Sequence, residues 1–388
     1  MLFHLDAALI PGGFAGVDIF FVISGYVVSK SLARQSPSAF FRFAADFYAR
    51  RILRIVPALL VCLTVSALAV TLFIPASWLS YTTSITGLAA FFGLGNLALI
   101  VFDDGYFSPR SDFNPFTHTC SLGVEEQFYL VFPLLFYCWT TSRAKKTLWR
   151  ICSQWLLTML FFLSLACSAV QTGQHPDAEF YLLPSRFWEL AAGALLFQLH
   201  QQQRCLSISL CAARLFLSAG AALLAAGFFL CNRQAFPFPQ AMLPVLGTLS
   251  LISGLHSQAE QRPLLRRFLE HPTTVYIGNI SYSLYLWHWP VYVLLRWTSG
   301  LETVLEAFAA LAVTCICAVC SYHLVEQRIR CKPTLRQQPS QRIIQKGIAA
   351  LVTAFFLSGA VFFAQPFLSL SVTKDKKTWY WRYSYFVE

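Results

Sequence analysis

The chain has 388 residues, 56% of them hydrophobic and only 12% charged, with a formal net charge of +11. Soluble domains carry about 25% charged residues, so the composition, with a mean hydropathy of +0.56, excludes an ordinary soluble protein. The basic excess does not point to nucleic acid either, because the lysines and arginines lie in short segments between apolar runs, where they set topology and meet anionic headgroups.

Apolar runs fall near residues 1–10, 14–33, 53–74, 82–102, 121–141, 148–170, 184–199, 206–231, 240–256, 273–296, 303–325 and 347–370. Most have the length of about 20 residues that a bilayer crossing requires. The sequence therefore reads as an all-α polytopic membrane protein whose first partner is the lipid bilayer. The opening run is about half a helix, with no cleavable signal peptide, so the expected chain is truncated at its N-terminus. Basic residues cluster at 30–54, 143–150, 262–267 and 328–346, and such segments should be cytoplasmic. Three apolar runs separate the first two clusters, which would put them on opposite sides. One run must then fail to cross, and 82–102, with Gly87, Gly93, Gly95 and Asn96, is the one expected to be re-entrant or surface-lying. Ten crossings result, the first partial, with an eleventh at 347–370. The domain reading is a membrane domain over 1–330, a cytoplasmic linker over 331–346, an additional helix over 347–370 and a periplasmic stub over 371–388. Of the 12 cysteines, Cys315, Cys317 and Cys320 lie together inside one apolar run. They read as helix filler, and no metal site is expected.

Ionisable groups at membrane depth are costly unless paired or used, and they supply the candidate chemistry. His4 and Asp18 flank the Pro11-Gly12-Gly13 break. A carboxylate beside an imidazole fixes its tautomer, as a general base requires; the pair could also merely satisfy itself between helices. In residues 114–133, His118, Ser121, Glu125 and Tyr129 would share one face of a helix starting at Pro115. Glu126 would be rotated by about 100° from Glu125. Arg186 and Glu189 form an i, i+3 pair, structural or catalytic. Ser281, Tyr285 and His288 share a face, beside tryptophans that suit an interfacial belt. Arg51 and Arg54, one turn apart, could grip phosphate or simply mark the inner side.

Seven stretches, in order, resemble the bacterial integral-membrane acyltransferases of acyltransferase family three. They are GGFAGVDIFFVISGYVVSKSL, FYARRILRIVPAL, GNLALIVFDDGYFSP, NPFTHTCSLGVEEQFYLVFPLL, RFWELAAGALL, IGNISYSLYLWHWPV and SYHLVEQRIR, and they cover about residues 1–330. The resemblance implies a ten-helix acyltransferase core in a bacterial inner membrane. It implies transfer of an acyl group, usually acetyl, from cytoplasmic acyl-CoA to a hydroxyl of a surface polysaccharide such as lipopolysaccharide O-antigen. No bound cofactor is implied; acyl-CoA is a substrate. His4 matches the family's catalytic histidine, Arg51 and Arg54 its Arg-x-x-Arg pair serving the donor, and Glu125 with Glu126 its long motif. Cys120 stands where the family has Trp, and Arg328 where it has Pro. The eleventh helix resembles members that carry an extra hydrolase-like periplasmic domain, so such a domain or protein is a further expected partner. Two other readings stay open: an acyl carrier that needs a separate transferase, and an inactive fragment.

Overall fold

The computed structural model describes all residues except 36–38, 76–79, 103–110, 143–147, 173–175, 203–208, 233–235, 258–263 and 371–388. The 143–147 part of the second basic cluster, Arg262 of the third and the 371–388 stub therefore lie outside the described residues. The described elements are helical: α1 Leu2–Leu5, α2 Gly16–Ala33, α3 Phe40–Phe73, α4 Tyr81–Ala90, α5 Gly95–Val101, α6 Thr119–Ser142, α7 Leu148–Gln171, α8 Pro176–Tyr181, α9 Leu183–Gln202, α10 Leu210–Leu230, α11 Met242–Ser257, α12 Leu264–Leu269, α13 Pro272–Trp297, α14 Val304–Ser321, α15 Gln327–Arg330, α16 Pro333–Arg336, α17 Ser340–Phe363 and α18 Gln365–Leu368. This is an all-α polytopic membrane protein.

Among the described residues, five helical stretches are long and apolar enough to cross a membrane: Gly13–Ala33, Phe40–Phe73, Leu210–Leu230, Val304–Arg330 and Ser340–Phe363. Helices α6, α9 and α13, of 24, 20 and 26 residues, have the length too. They carry the acids, arginine and histidine singled out above, and those side chains dilute their apolar character.

Several boundaries differ from the sequence reading. The opening run is a single helical turn, α1, which the Pro11-Gly12-Gly13 break separates from α2. Helix α3 begins at Phe40, not near 53, so the first basic cluster is largely helical. At 34 residues it is about 51 Å long, well beyond the ~30 Å hydrocarbon core. Its arginines therefore ride on a helix that outreaches the bilayer. The 82–102 run is two short helices, α4 and α5, split at Gly93, whose φ of 67° lies in the left-handed region glycine favours. Neither piece has the length to span. The 331–346 linker contains α16 and the start of α17, because Pro339 is placed to cap a helix running on from Ser340.

The chain forms two compact units, residues 1–50 with 121–281, and residues 51–120 with 282–388. In the first, α2 and α9 run parallel at very close range. A Cβ at Gly25 would lie 1.9 Å from the Leu190 carbonyl oxygen, and one at Gly193 would lie 1.9 Å from that of Val22. The absent side chains let two backbones touch. The start of α2 is fixed to the end of α10 by Gly12 N–H donating to Phe228 O at 2.8 Å.

In the second unit, α13 lies parallel to α3. Tyr282 OH donates to Ile55 O at 3.1 Å, Cys62 Sγ to Leu286 O at 3.3 Å, and Val70 and Ile74 pack with Trp289, Val293 and Trp297. Helix α17 runs the same way. Gly347 sits under Ile52, Gln365 Nε2 donates to Ile74 O at 3.2 Å, and Leu370 N–H donates to Leu72 O at 2.9 Å.

Candidate functional site

In the first unit, polar groups are stacked along α2. Nearest its start, Asp18 is buried and its Oδ1 lies 3.1 Å from Nη2 of Arg186, which also lies 3.3 Å from Oε2 of Glu189. The rings of Phe21, Phe180 and Phe236 surround the guanidinium with centroids 5.3 to 5.4 Å from its carbon. Arginine suits such a place, since its planar cation pairs with carboxylates and stacks on aromatic faces at once. The i, i+3 pair is present, but its main partner comes from α2. The sequence reading joined Asp18 to His4; here the carboxylate is committed to Arg186, whose permanent charge is the stronger attraction. His4 itself lies half-buried on α1, its ring against Phe3 at 5.0 Å, and Phe3 packs on Phe14 at 5.5 Å.

Six residues further along α2, about 9 Å deeper, Ser24 meets α6. Ser24 Oγ and Tyr129 OH both donate to Oε1 of Glu125, and the two hydroxyl oxygens lie 2.8 Å apart. All three side chains are buried. Tyr48 OH donates to the carbonyls of Tyr129 and Leu130 at 3.2 and 3.1 Å, steadying that turn of α6. Glu126, one residue on, is only partly buried. The predicted Glu125–Tyr129 face is therefore real, but Ser24 was missed, because a serine in an apolar helix is ordinary on sequence grounds. Two residues past Ser24 on α2, Tyr26 OH lies 3.1 Å from Nδ1 of His200, whose ring stacks on that of His256 at 4.2 Å.

The second unit holds two further groups. His118 does not lie on the face of α6, as expected; that helix starts at Thr119. Asn114 uses its Oδ1 to accept from Phe116 N–H at 3.0 Å and its carbonyl to accept from Thr117 N–H at 3.3 Å. This makes residues 114–117 a separate turn, which delivers His118 to α13. Tyr285 OH donates to the His118 carbonyl, and the His118 ring lies 5.7 Å from Tyr285 and 6.0 Å from His288. Nδ1 of His288 is 2.6 Å from the Tyr285 carbonyl oxygen. A carbonyl can only accept, so Nδ1 carries the proton and Nε2 is the basic nitrogen. Trp289 Nε1 donates to Asn114 O at 2.7 Å and holds the turn against the helix. Ser281 faces outward and bonds back to Gly278 O at 2.8 Å, which separates it from buried His288.

The other group lies beside Arg54, well inside α3. Glu326 is buried on a wide turn of π type, Tyr322–Glu326, that interrupts the helix after α14. Such turns often aim a side chain where a regular helix would not. Ser283 Oγ donates to its Oε1, and Arg54 and Arg330 are close enough to act on it electrostatically. Arg51 is partly buried and Arg54 exposed. Glu326 was also missed, although a lone acid closing an apolar run was a usable signal. Among the described residues no three His, Cys, Asp or Glu side chains gather to hold a metal.

No solved structure matches the chain. It is 28% identical over 341 residues to an inferred O-acetyltransferase of Staphylococcus aureus, covering 85% of this chain and 55% of that one. It is 28% identical over 344 residues to YrhL of Bacillus subtilis, an inferred peptidoglycan O-acetyltransferase, covering 84% and 52%. It is 29% identical over 328 residues to BcsY of Komagataeibacter xylinus, an inferred membrane-bound transacylase, covering 84% and 78%. The chain thus spans about half the length of the first two. The model of the acyltransferase domain of acyltransferase family three matches residues 2–323, and with that match over most of its length this membrane protein belongs to that family.

Proposed function

We propose that the protein is an O-acyltransferase of a bacterial inner membrane. It takes an acyl group, in the first instance acetyl, from cytoplasmic acyl-CoA and passes it to a hydroxyl of a cell-surface glycan, lipopolysaccharide O-antigen or a related polymer. The observation that carries this reading is the family match over residues 2–323. The relatives named for O-acetyl transfer, one of them to peptidoglycan, support a glycan acceptor.

The side chains divide the work by chemistry. Arg51 and Arg54 are a helical turn apart and supply cations for the donor's phosphates. Arg330 lies near the same glutamate as Arg54 and adds to that positive end. His4 acts as the general base that takes the proton of the accepting hydroxyl, and a correctly placed base contributes about 10²–10⁴-fold. Tyr285, His118 and His288 present a basic imidazole nitrogen and aromatic faces suited to a sugar. Asp18, Arg186 and Glu189 hold α2 to α9.

His4→Ala should lower acetyl transfer to glycan by at least about 100-fold with the protein still folded. The assay is purified protein in vesicles, acetyl-CoA and an oligosaccharide acceptor, with no second protein present. A variant as active as the parent removes His4 from the mechanism. A parent inactive until an outer hydrolase-like protein is added shows a carrier instead.

A further inference from the structure

We propose that Ser24 is a covalent relay, accepting the acyl group from the thioester and passing it on, with Glu125 as its proton acceptor and Tyr129 as the residue that positions Glu125. This rests on the acyl-transfer reading above.

Three observations carry it. First, the Ser24 hydroxyl donates directly to the Glu125 carboxylate, the arrangement in which a nearby base activates a hydroxyl nucleophile. Second, Tyr129 OH donates to the same oxygen and lies 2.8 Å from Ser24 Oγ, so the carboxylate is held in one orientation toward the serine. Tyr48 fixes the same turn of α6 from outside. Third, Ser24 is at the middle of its helix. In Gly16–Ala33 it lies about 12 Å from the first residue and about 14 Å from the last. A group that must pass between the faces of a ~30 Å core gains from a stopping point halfway. A thioester approaching from one side and a hydroxyl approaching from the other need not then meet.

The chemistry balances. Ser24 Oγ attacks the acyl carbonyl carbon. An Oγ–C bond forms, the C–S bond of the thioester breaks, and the serine proton passes to Glu125 Oε1 and on to the leaving sulfur, giving the free thiol. In the second half the glycan oxygen attacks the seryl ester. The new C–O bond forms, the C–Oγ bond breaks, and the glycan proton, taken up by the His4 base, is returned through Glu125 to Ser24 Oγ.

A polar contact that only glues α2 to α6 would leave no covalent trace, and that decides the test. The full chain in vesicles is incubated with labelled acetyl-CoA, without and with an oligosaccharide acceptor, then quenched in acid, digested and mapped by mass spectrometry. The expected result is acetyl on Ser24, accumulating without acceptor and discharged when acceptor is added. Ser24→Cys should carry the label in a form that neutral hydroxylamine removes, as a thioester. Glu125→Gln should slow labelling by at least about 100-fold, and Tyr129→Phe should slow it less. A parent that acetylates the oligosaccharide with Ser24 unlabelled, or with the label on the His4 imidazole, overturns the relay and leaves the acyltransferase reading intact. So does Ser24→Ala working within threefold of the parent. A parent that transfers acetyl neither to glycan nor to itself sinks both.

Discussion

Arg186 is held by two carboxylates and three phenyl rings, and those carboxylates depend on it in turn. Breaking a buried ion cluster by removing one partner costs about 3–5 kcal/mol, because the charge left behind has lost both water and counterion. Asp18→Ala should therefore destabilise the protein by about that amount. Asp18→Asn keeps an oxygen facing the guanidinium and should cost less, about 1–3 kcal/mol. Unfolding in detergent, followed by helical circular dichroism, measures both. Equal losses for the two variants would show that the charge alone is what Asp18 supplies, and that the oxygen and volume kept by asparagine contribute nothing. The legibility of this cluster in the sequence was partial for a physical reason. Arg186 and Glu189 lie one turn apart on one helix, so helical periodicity exposes them. Asp18 lies 168 residues away, and only tertiary packing selects it over His4 as the partner of choice.

Helix α2 can carry three polar stations because α9 packs against it without side chains in the way. At Gly25 and Gly193 the obstacle to a Cβ is a backbone carbonyl at 1.9 Å, which cannot rotate aside. Gly25→Ala must push the helices apart, and overpacking of this kind costs about 1–3 kcal/mol. Gly278, on α13, has nothing within 4 Å of its Cβ direction. There the substitution should be neutral or stabilising by up to about 1 kcal/mol, the ordinary helix preference for alanine over glycine. The thermal midpoint of Gly25→Ala should therefore fall while that of Gly278→Ala holds or rises, and a Gly25→Ala midpoint at or above the parent's would mean that α2 and α9 approach less closely than this. Element positions follow the apolar runs well, since membrane helices leave long apolar stretches in the sequence. Ends were read less well. The start of α3 is hidden because Arg42, Arg50, Arg51 and Arg54 interrupt the apolar signal without interrupting the helix. The glycines of the 82–102 run point to a segment that does not cross, but its division into α4 and α5 at Gly93 is seen only in the structure.

At the scale of the molecule, direction matters more than position. Within the second unit α3, α13 and α17 all run the same way, as the pairings of residue 55 with 282, 52 with 347 and 74 with 365 require. Arg51 and Arg54 therefore share an end with Lys346, and Leu370 shares the opposite end with Leu72. Positively charged segments flanking spans tend to stay in the cytoplasm, so we propose that the basic end is the inner one and that the chain leaves α17 on the outer side. That arrangement is compatible with the parity argument in which one apolar run fails to cross, and with the proposal that Arg51 and Arg54 meet a cytoplasmic donor. A reporter enzyme active only outside the cytoplasm should work when fused after Leu370 and fail when fused after Arg336. A reporter active only inside should give the reverse. The two fusions reporting the same side would mean that α17 does not span. It would then lie along the surface, and the parallel pairing of α17 with α3 could not hold in the membrane.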